Sequence, residues 1–480
     1  MGRTSHKSRA ALIGLLVLGA WSTAAAQEPA KFVGALQELD GDHDRSLAAV
    51  QELQAGGEPA AITIRDAWST LSRRAQRRLI AALASLARNH EPAVECLVEA
   101  ARSPDEQIRE GALSALRRAG PAGWEGLITL LPEPEVGDRA AVLLARTEPD
   151  AAISPLLDAL MAEGGDERPV LRSALATAVQ RAGQTVEPKL RAWLEAEPSP
   201  SGVANAALAL ASIEDYAPVV AVFIEYAAPS SNDFATTWRL LQSAATAGPS
   251  EAVDHWIQSQ LQAPEGWMLR RAAVDAIAAR GRRTDARIAL EDPYPRVRAR
   301  AARVLSKDPD SMTARATLAR KDTWPMVRAE AVTSLRNEPV ATPVIVAAVD
   351  DPMSEVRAAA IKVLTRTSHD EGWDRIHAHL RGRNEWPQVA AAAIDYVVAH
   401  CRTDAVDALF TIVRRVASPS ALTDDINNAA HAIVALRVLN TPEAEAAVRQ
   451  LRGSTGVPPT LEMALEEPLS KHRPCAPASP

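Results

Sequence analysis

Three stretches of the chain are copies of one another, and their spacing restricts the fold more than any other feature. Residues 292–305 read Asp-Pro-Tyr-Pro-Arg-Val-Arg-Ala-Arg-Ala-Ala-Arg-Val-Leu, residues 322–335 Asp-Thr-Trp-Pro-Met-Val-Arg-Ala-Glu-Ala-Val-Thr-Ser-Leu, and residues 351–364 Asp-Pro-Met-Ser-Glu-Val-Arg-Ala-Ala-Ala-Ile-Lys-Val-Leu. From each Val onward, apolar residues recur at i, i+4, i+5 and i+8: Val297, Ala301, Ala302 and Leu305; Val327, Ala331, Val332 and Leu335; Val356, Ala360, Ile361 and Leu364. On a helix of 3.6 residues per turn this spacing makes one buried stripe. The Asp that opens each stretch reads as an N-cap, and Pro293 and Pro352 as first helical residues, where a missing N–H costs nothing. The Val anchors lie 30 and 29 residues apart, room for a second helix and two turns, and a fixed period in that range signals a solenoid.

The same pattern extends along the chain in weaker copies. Anchors fall at Ile108, Val136, Val170 with Ala174, Val203 with Ala207, Phe234 with Trp238 and Leu269, then beyond the central three at Val389 and Ile426, in steps of 28 to 37 residues. The motif helix resembles the HEAT-like repeats of the phycobilisome-lyase type, whose hallmark is D-P-x-x-x-V-R-x-x-A-x-x-x-L. That resemblance implies an all-α protein, a right-handed α-solenoid of about eleven HEAT-like helix pairs, with the second helix of each pair on the concave wall. Aromatic residues make up only 4% of the chain, and the abundant small side chains suit closely approaching helices better than a sheet.

The ends read differently. Arg3, Lys7 and Arg9, an apolar run from Ala10 to Ala20 and Ala24-Ala25-Ala26 before Gln27 have the order of a cleaved signal peptide over 1–26. The run falls short of the roughly 20 residues a spanning helix needs, so the expectation is a periplasmic or secreted protein without stable membrane insertion. Residues 27–66 read as an N-terminal helical cap or linker, 67–453 as the solenoid, and 454–480 as a disordered Pro-rich tail. Residues 1–26 carry three of the 53 Lys and Arg and none of the 60 Asp and Glu, so their removal takes the net charge from −7 to −10. That balance argues against nucleic acid as a partner. Three cysteines do not make a disulfide framework. Cys96 and Cys401 stand in apolar helical contexts and read as buried small hydrophobes, while Cys475 in the tail is open between a pair with another chain and a thiol without a role.

Candidate chemistry is sparse. An Arg follows the anchor at Arg109, Arg270, Arg298, Arg328 and Arg357, and five equivalent copies argue for a structural ladder in which each guanidinium holds a neighbouring unit's Asp. Residues 268–303 hold ten Arg against four acids, an excess that points to an acidic partner. Arg270, Arg271, Arg298, Arg300 and Arg303 are therefore the candidate partner-binding residues, and the expected partner is a protein or acidic peptide of the cell envelope. Asp40, Asp42, Asp44 and Ser46 follow the first alternate positions of a calcium loop, but Arg45 stands where Gly is needed and Gln51 where the bidentate Glu belongs; a solvated turn that caps a following helix is the simpler reading. Asp370, Asp374 and His377, at i, i+4 and i+7, fall along one helix face, and His400 in the following unit is the one further ligand on offer: a partial metal set or, more simply, surface polarity. Trp324 and Trp386 precede Pro at motif-helix starts, where staple-like packing competes with a grip on peptide or glycan.

No haem-attachment, nucleophile-elbow, metalloprotease or phosphate-loop motif is present. His90-Glu91 is the only His-Glu pair, where deoxyhypusine hydroxylase-like arrays use several to hold iron. No catalytic residue, metal or cofactor is assigned. The functional expectation is a non-catalytic protein-binding scaffold; the alternative is a lyase-like enzyme or enzyme accessory holding a small prosthetic group.

Overall fold

The computed structural model describes residues 32–162, 168–263, 266–367, 370–382, 385–416, 423–452, 459–466, 468–469 and 475. The leader expected over 1–26 lies outside them. Every regular element among these residues is helical, and the chain forms two compact units, one ending at Ser250 and the other beginning at Glu251. The first unit opens with helices over 32–38, His43–Ala55, Gly57–Ala67 and Arg73–Leu86. Five pairs follow, from Glu91–Ala101 with Glu106–Arg118 to Ala217–Ala227 with Phe234–Ala244. The second unit holds six more, with second helices Trp267–Ala279, Pro295–Val304, Pro325–Ser334, Ser354–Leu364, Pro387–Ala399 and Thr423–Leu439. Each of the eleven anchors falls on the second helix of a pair, and the architecture is an α-solenoid of HEAT-like repeats.

All twelve stripe residues of the three clearest copies have 0% exposure, so the stripe is the core between each helix and its neighbours. No unit could bury such a face alone, and stacking supplies the missing side. In the weaker copies the register slips. Val170 is half-buried while Leu171, Ala174, Leu175 and Ala178 are buried; Ile426, Ala430 and Val434 are half-buried while Ala429, Ile433 and Leu436 are buried. Phe234 is exposed and stacks on Trp238, and Thr237, Leu240, Leu241 and Ala244 face inward instead. Runs of Ala on both sides of a helix leave its apolar stripe poorly marked in sequence.

The motif Asp is not the N-cap in the three clearest copies. The caps are Tyr294, Trp324 and Met353, and the helices begin at Pro295, Pro325 and Ser354. Asp292, Asp322 and Asp351 sit two residues earlier, each accepting the cap residue's backbone N–H at 2.7 to 2.9 Å. Pro293 and Pro352 therefore lie in a side-chain-closed turn before the helix, and it is Pro295 and Pro325 that occupy the first helical position. Each of these carboxylates is also held by an arginine of the preceding unit. Asp105 does cap its helix, accepting from the N–H groups of Gln107 and Ile108 at 3.0 and 3.2 Å.

Among the described residues one charged side chain lies fully inside. Arg315, at 0% exposure, donates to Ser311 Oγ, the carbonyls of Ser334 and Asp308, and Glu338 Oε1, as a buried charge must. It ties the turn before its own helix to the end of the Pro325 helix.

The described residues of the tail include a helix. Residues Pro459–Glu466 form a helix that buries Leu461, Ala464 and Leu465, and Arg437 and Arg452 donate to its last carbonyls. Cys475 is buried, bonds through its N–H to the Val438 carbonyl, and forms a disulfide with Cys401, Cα–Cα 5.7 Å. Cys401 is thus no core thiol: it lies just past the Pro387–Ala399 helix, exposed, at φ 49°. Cys96 is the free, buried one.

Candidate binding face

In the second unit the motif Arg has two tasks. Arg298 donates through Nε and Nη2 to the two Asp322 oxygens at 2.8 and 3.0 Å, and through Nη1 back to the carbonyl of its own Asp292 at 2.7 Å. Arg328 repeats this with Asp351 and the Asp322 carbonyl, all three at 2.8 Å. Arg270 forks onto Asp292 at 2.6 and 3.1 Å. At the fourth step Glu385 replaces Asp: Arg357 Nη2 reaches Oε1 at 2.6 Å, while the buried Arg357 Nε has no partner among the described residues. The longer side chain turns its second oxygen to His379 Nδ1, 2.5 Å away. Burial by itself lifts the Glu385 carboxyl; bonds from Arg357, the Trp386 N–H and His379 bring it below the usual carboxylate range.

This ladder decides the standing of two candidate residues. The Arg270 and Arg298 side chains are 9% and 14% exposed and committed to bidentate pairs, so they are not available to a partner. The Arg excess over 268–303 is also largely neutralised. Seven of its ten arginines meet carboxylates, and Asp254, Asp308, Asp310, Asp322 and Glu330, outside that window, supply much of the charge. A count along the sequence misses acids that stacking brings in from neighbouring units.

What remains is a face over successive second helices. Arg271 and Arg296 are exposed and have no carboxylate partner among the described residues. The Arg296 guanidinium instead sits 5.2 Å above the Trp267 ring, which stacks on Tyr294 at 4.5 Å, so an aromatic pair positions it without cancelling its charge. Arg300 pairs with Asp275 and Arg303 with Glu330. These four arginines, with Ala299, Met326 and Glu330, line a cleft of about 310 Å3. Arg296, which sequence reasoning missed, had a signal available: it immediately precedes the anchor, a position the buried stripe avoids.

The other candidates go elsewhere. Asp42 caps the His43–Ala55 helix by accepting from Arg45 N–H, and Asp40 accepts from Ser72 Oγ at 2.5 Å. His377 stacks on Trp373, His400 stacks on Tyr396 and donates to the Leu364 carbonyl, and Asp370 lies 3.4 Å from Arg402. Among the described residues no three His, Cys, Asp or Glu side chains gather to hold a metal ion, and no helix is long and apolar enough to cross a membrane. Trp324 and Trp386 are 53% and 60% exposed, so neither ring is stapled onto its helix.

No family model and no curated protein matches the chain. Solved structures do match, at the level of fold. A structure of Kap95p, whose binding induces the switch loops of RanGDP to adopt the GTP-bound conformation, aligns over 91% of this chain and 76% of its own with 13% identity and a TM-score of 0.50. Kap121p bound to Ste12p aligns over 90% of this chain with 10% identity and a TM-score of 0.46, and importin beta in an ammonium sulfate condition over 92% with 11% identity and a TM-score of 0.32. The chain spans 58% and 62% of those two structures, less than two thirds of their length. The chain shares with Kap95p the stacked-helix fold of a HEAT-repeat solenoid.

Proposed function

We propose that this protein is an exported, non-catalytic scaffold that holds an acidic segment of a protein partner against the second-helix face around Arg271 and Arg296. The observation that carries this reading is two exposed guanidiniums, without a carboxylate partner among the described residues, on a cleft also lined by Ala299 and Met326 in a chain whose net charge is −7. Acidic side chains gain there what the protein's own carboxylates supply to its other arginines. Kap95p, on a similar fold, acts on a protein, RanGDP, and protein binding comes to this chain from that likeness only as the work a long stacked-helix surface suits. Export is supported by the order of residues 3–26 and by the Cys401–Cys475 disulfide, a bond that persists in oxidising compartments such as the periplasm. The repeats match every fixed position of the phycobilisome-lyase motif in both Asp292–Leu305 and Asp351–Leu364.

Fluorescence anisotropy with a labelled hexaglutamate peptide tests the binding reading. Saturable binding that weakens with salt, and that falls at least tenfold in the Arg271→Glu/Arg296→Glu variant, is expected; equal affinity of variant and parent refutes it. An accessory that holds a small prosthetic group is the second reading, favoured by a cleft of about 700 Å3 in the first unit with His90, Glu91 and Arg102 on its wall. Visible absorption in the protein purified from its native host would support it.

A further inference from the structure

Counted from the anchors, the exposed face of the second helices has its own stitching. The sixth residue after one anchor meets the third residue after the next: Asp275 pairs with Arg300, and Arg303 with Glu330. One step further the same two positions hold Thr333 and Ala359, which cannot pair, and the step after that offers Lys362 against the buried Ala392. The stitch therefore stops at the Pro325 helix. Where it stops, the small side chains leave a cleft of about 410 Å3, floored by Ala329, Ala358, Ala359 and Val363. Arg336, Lys362 and Arg366 stand on its wall, exposed, and none has a carboxylate partner among the described residues; Glu330 and Glu355 stand on it too, and Glu330 is already taken by Arg303.

We propose that the interrupted stitch is the second half of the recognition site, and that the partner's acidic segment supplies the absent carboxylates to Lys362 and Arg366. This rests on the reading of the second-helix face as the site of an acidic peptide, and it adds the segment's extent and direction. Glu330 lines both clefts, so the two are continuous across the Pro325 helix. Helices pack about 8–10 Å apart, which puts the cationic groups of the two clefts roughly 10–20 Å from each other. An extended chain rises about 3.3 Å per residue, so the ligand carries two acidic clusters separated by about three to six residues. Small residues between them suit the Ala floor and keep clear of Glu330 and Glu355, beside which a third acidic residue is disfavoured.

The test is anisotropy with a labelled peptide bearing two Glu-Glu clusters separated by Ala-Ser-Ala-Ser, against the full protein and three variants. Lys362→Glu/Arg366→Glu removes the proposed second contact. Ala359→Glu sets a carboxylate three residues before Lys362 on the same half-buried face, so it supplies the missing charge from within and competes with the peptide. Arg271→Glu/Arg296→Glu reports on the first cleft. Circular dichroism melting of each variant confirms that the fold is retained. A loss of threefold or more in both K362E/R366E and A359E, with the fold intact, supports the inference. A smaller loss in either, with R271E/R296E still weakening binding, overturns the second half of the site and leaves the proposed function standing. No binding by the parent, or no effect of either charge-reversal pair, overturns both.

Discussion

Replacing Arg328 by Ala isolates one rung of the ladder. The guanidinium makes two bonds of 2.8 Å to Asp351 and one of 2.8 Å to the Asp322 carbonyl, and the paired side chains are 11% and 10% exposed. Truncation leaves the Asp351 carboxylate nearly buried with only the Met353 N–H to satisfy it. Removing one partner of a buried pair typically costs about 3–5 kcal/mol; partial access of water to this rung puts the loss near the lower end, about 3 kcal/mol. Urea unfolding followed by circular dichroism at 222 nm measures it, with the melting temperature as a second readout. For a cooperative unit of this size each kcal/mol shifts the melting point by about 2–4 °C, so a drop of roughly 6–12 °C is expected. Asp351→Ala should destabilise as well, and the double variant should lose clearly less than the sum, because no charge is then left unpaired. Peptide binding should persist in all three. A loss below about 0.5 kcal/mol in R328A, or strict additivity in the cycle, would refute the ladder.

Two further outcomes follow from the cysteines and the carboxylates. Alkylation of the unfolded, unreduced protein should modify one thiol, Cys96, and reduction should expose three; in the native state burial pushes the Cys96 thiol up and keeps it inert. Cys475→Ser should destabilise the second unit by about 4 kcal/mol, the chain-entropy figure for a bridge closing 74 residues. Bonds from Arg77 and Arg287 hold Asp105 and Asp308 below the usual carboxylate range. A depressed native value means that the unfolded chain takes up protons first, so this stability is present above about pH 4 and lost as the pH falls through the native values. The urea midpoint should be flat from pH 7 to 5 and drop below 4, less steeply in Asp308→Asn; a parent midpoint unchanged down to pH 3 would contradict the pairing.

The repeat, its period and the buried stripe were legible because one helix is written three times with bulky anchors. Position was harder to read where Ala dominates, and the Val170, Phe234 and Ile426 copies shifted for that reason. Cap assignment failed because an Asp two residues before a helix and an Asp at its cap look alike in sequence; pairing with an arginine does not separate them, since Asp105 caps its helix while it also pairs with Arg77. The Arg excess misled in the same way, since sequence shows arginines close together while the structure pairs them with acids 20 to 30 residues away. Arg315 could not be found at all, because two of its four partners are backbone carbonyls of the turn at Asp308 and of Ser334. The Cys401–Cys475 pairing depended on a tail helix too short to show in composition.

Each rung of the ladder is directional. From Arg270 to Glu385 a unit contributes a donor at its Arg and an acceptor at its acid, and the Arg engages the following unit; among the described residues Arg109 makes no such rung and donates to the Ser103 carbonyl instead. These four rungs are heterologous contacts, and the run ends at Glu385, whose own unit has Ala390 where the motif Arg would stand. Excising one whole unit at equivalent points of the Pro295 and Pro325 helices would bring Arg298 opposite Asp351, the same chemistry one step shorter, with no charge left over. Duplication would add a rung just as simply. The length of such a protein is thus free to change by whole units without redesign of its core, and the exposed face, where the stitch is interrupted, is the part that gives each unit an individual address.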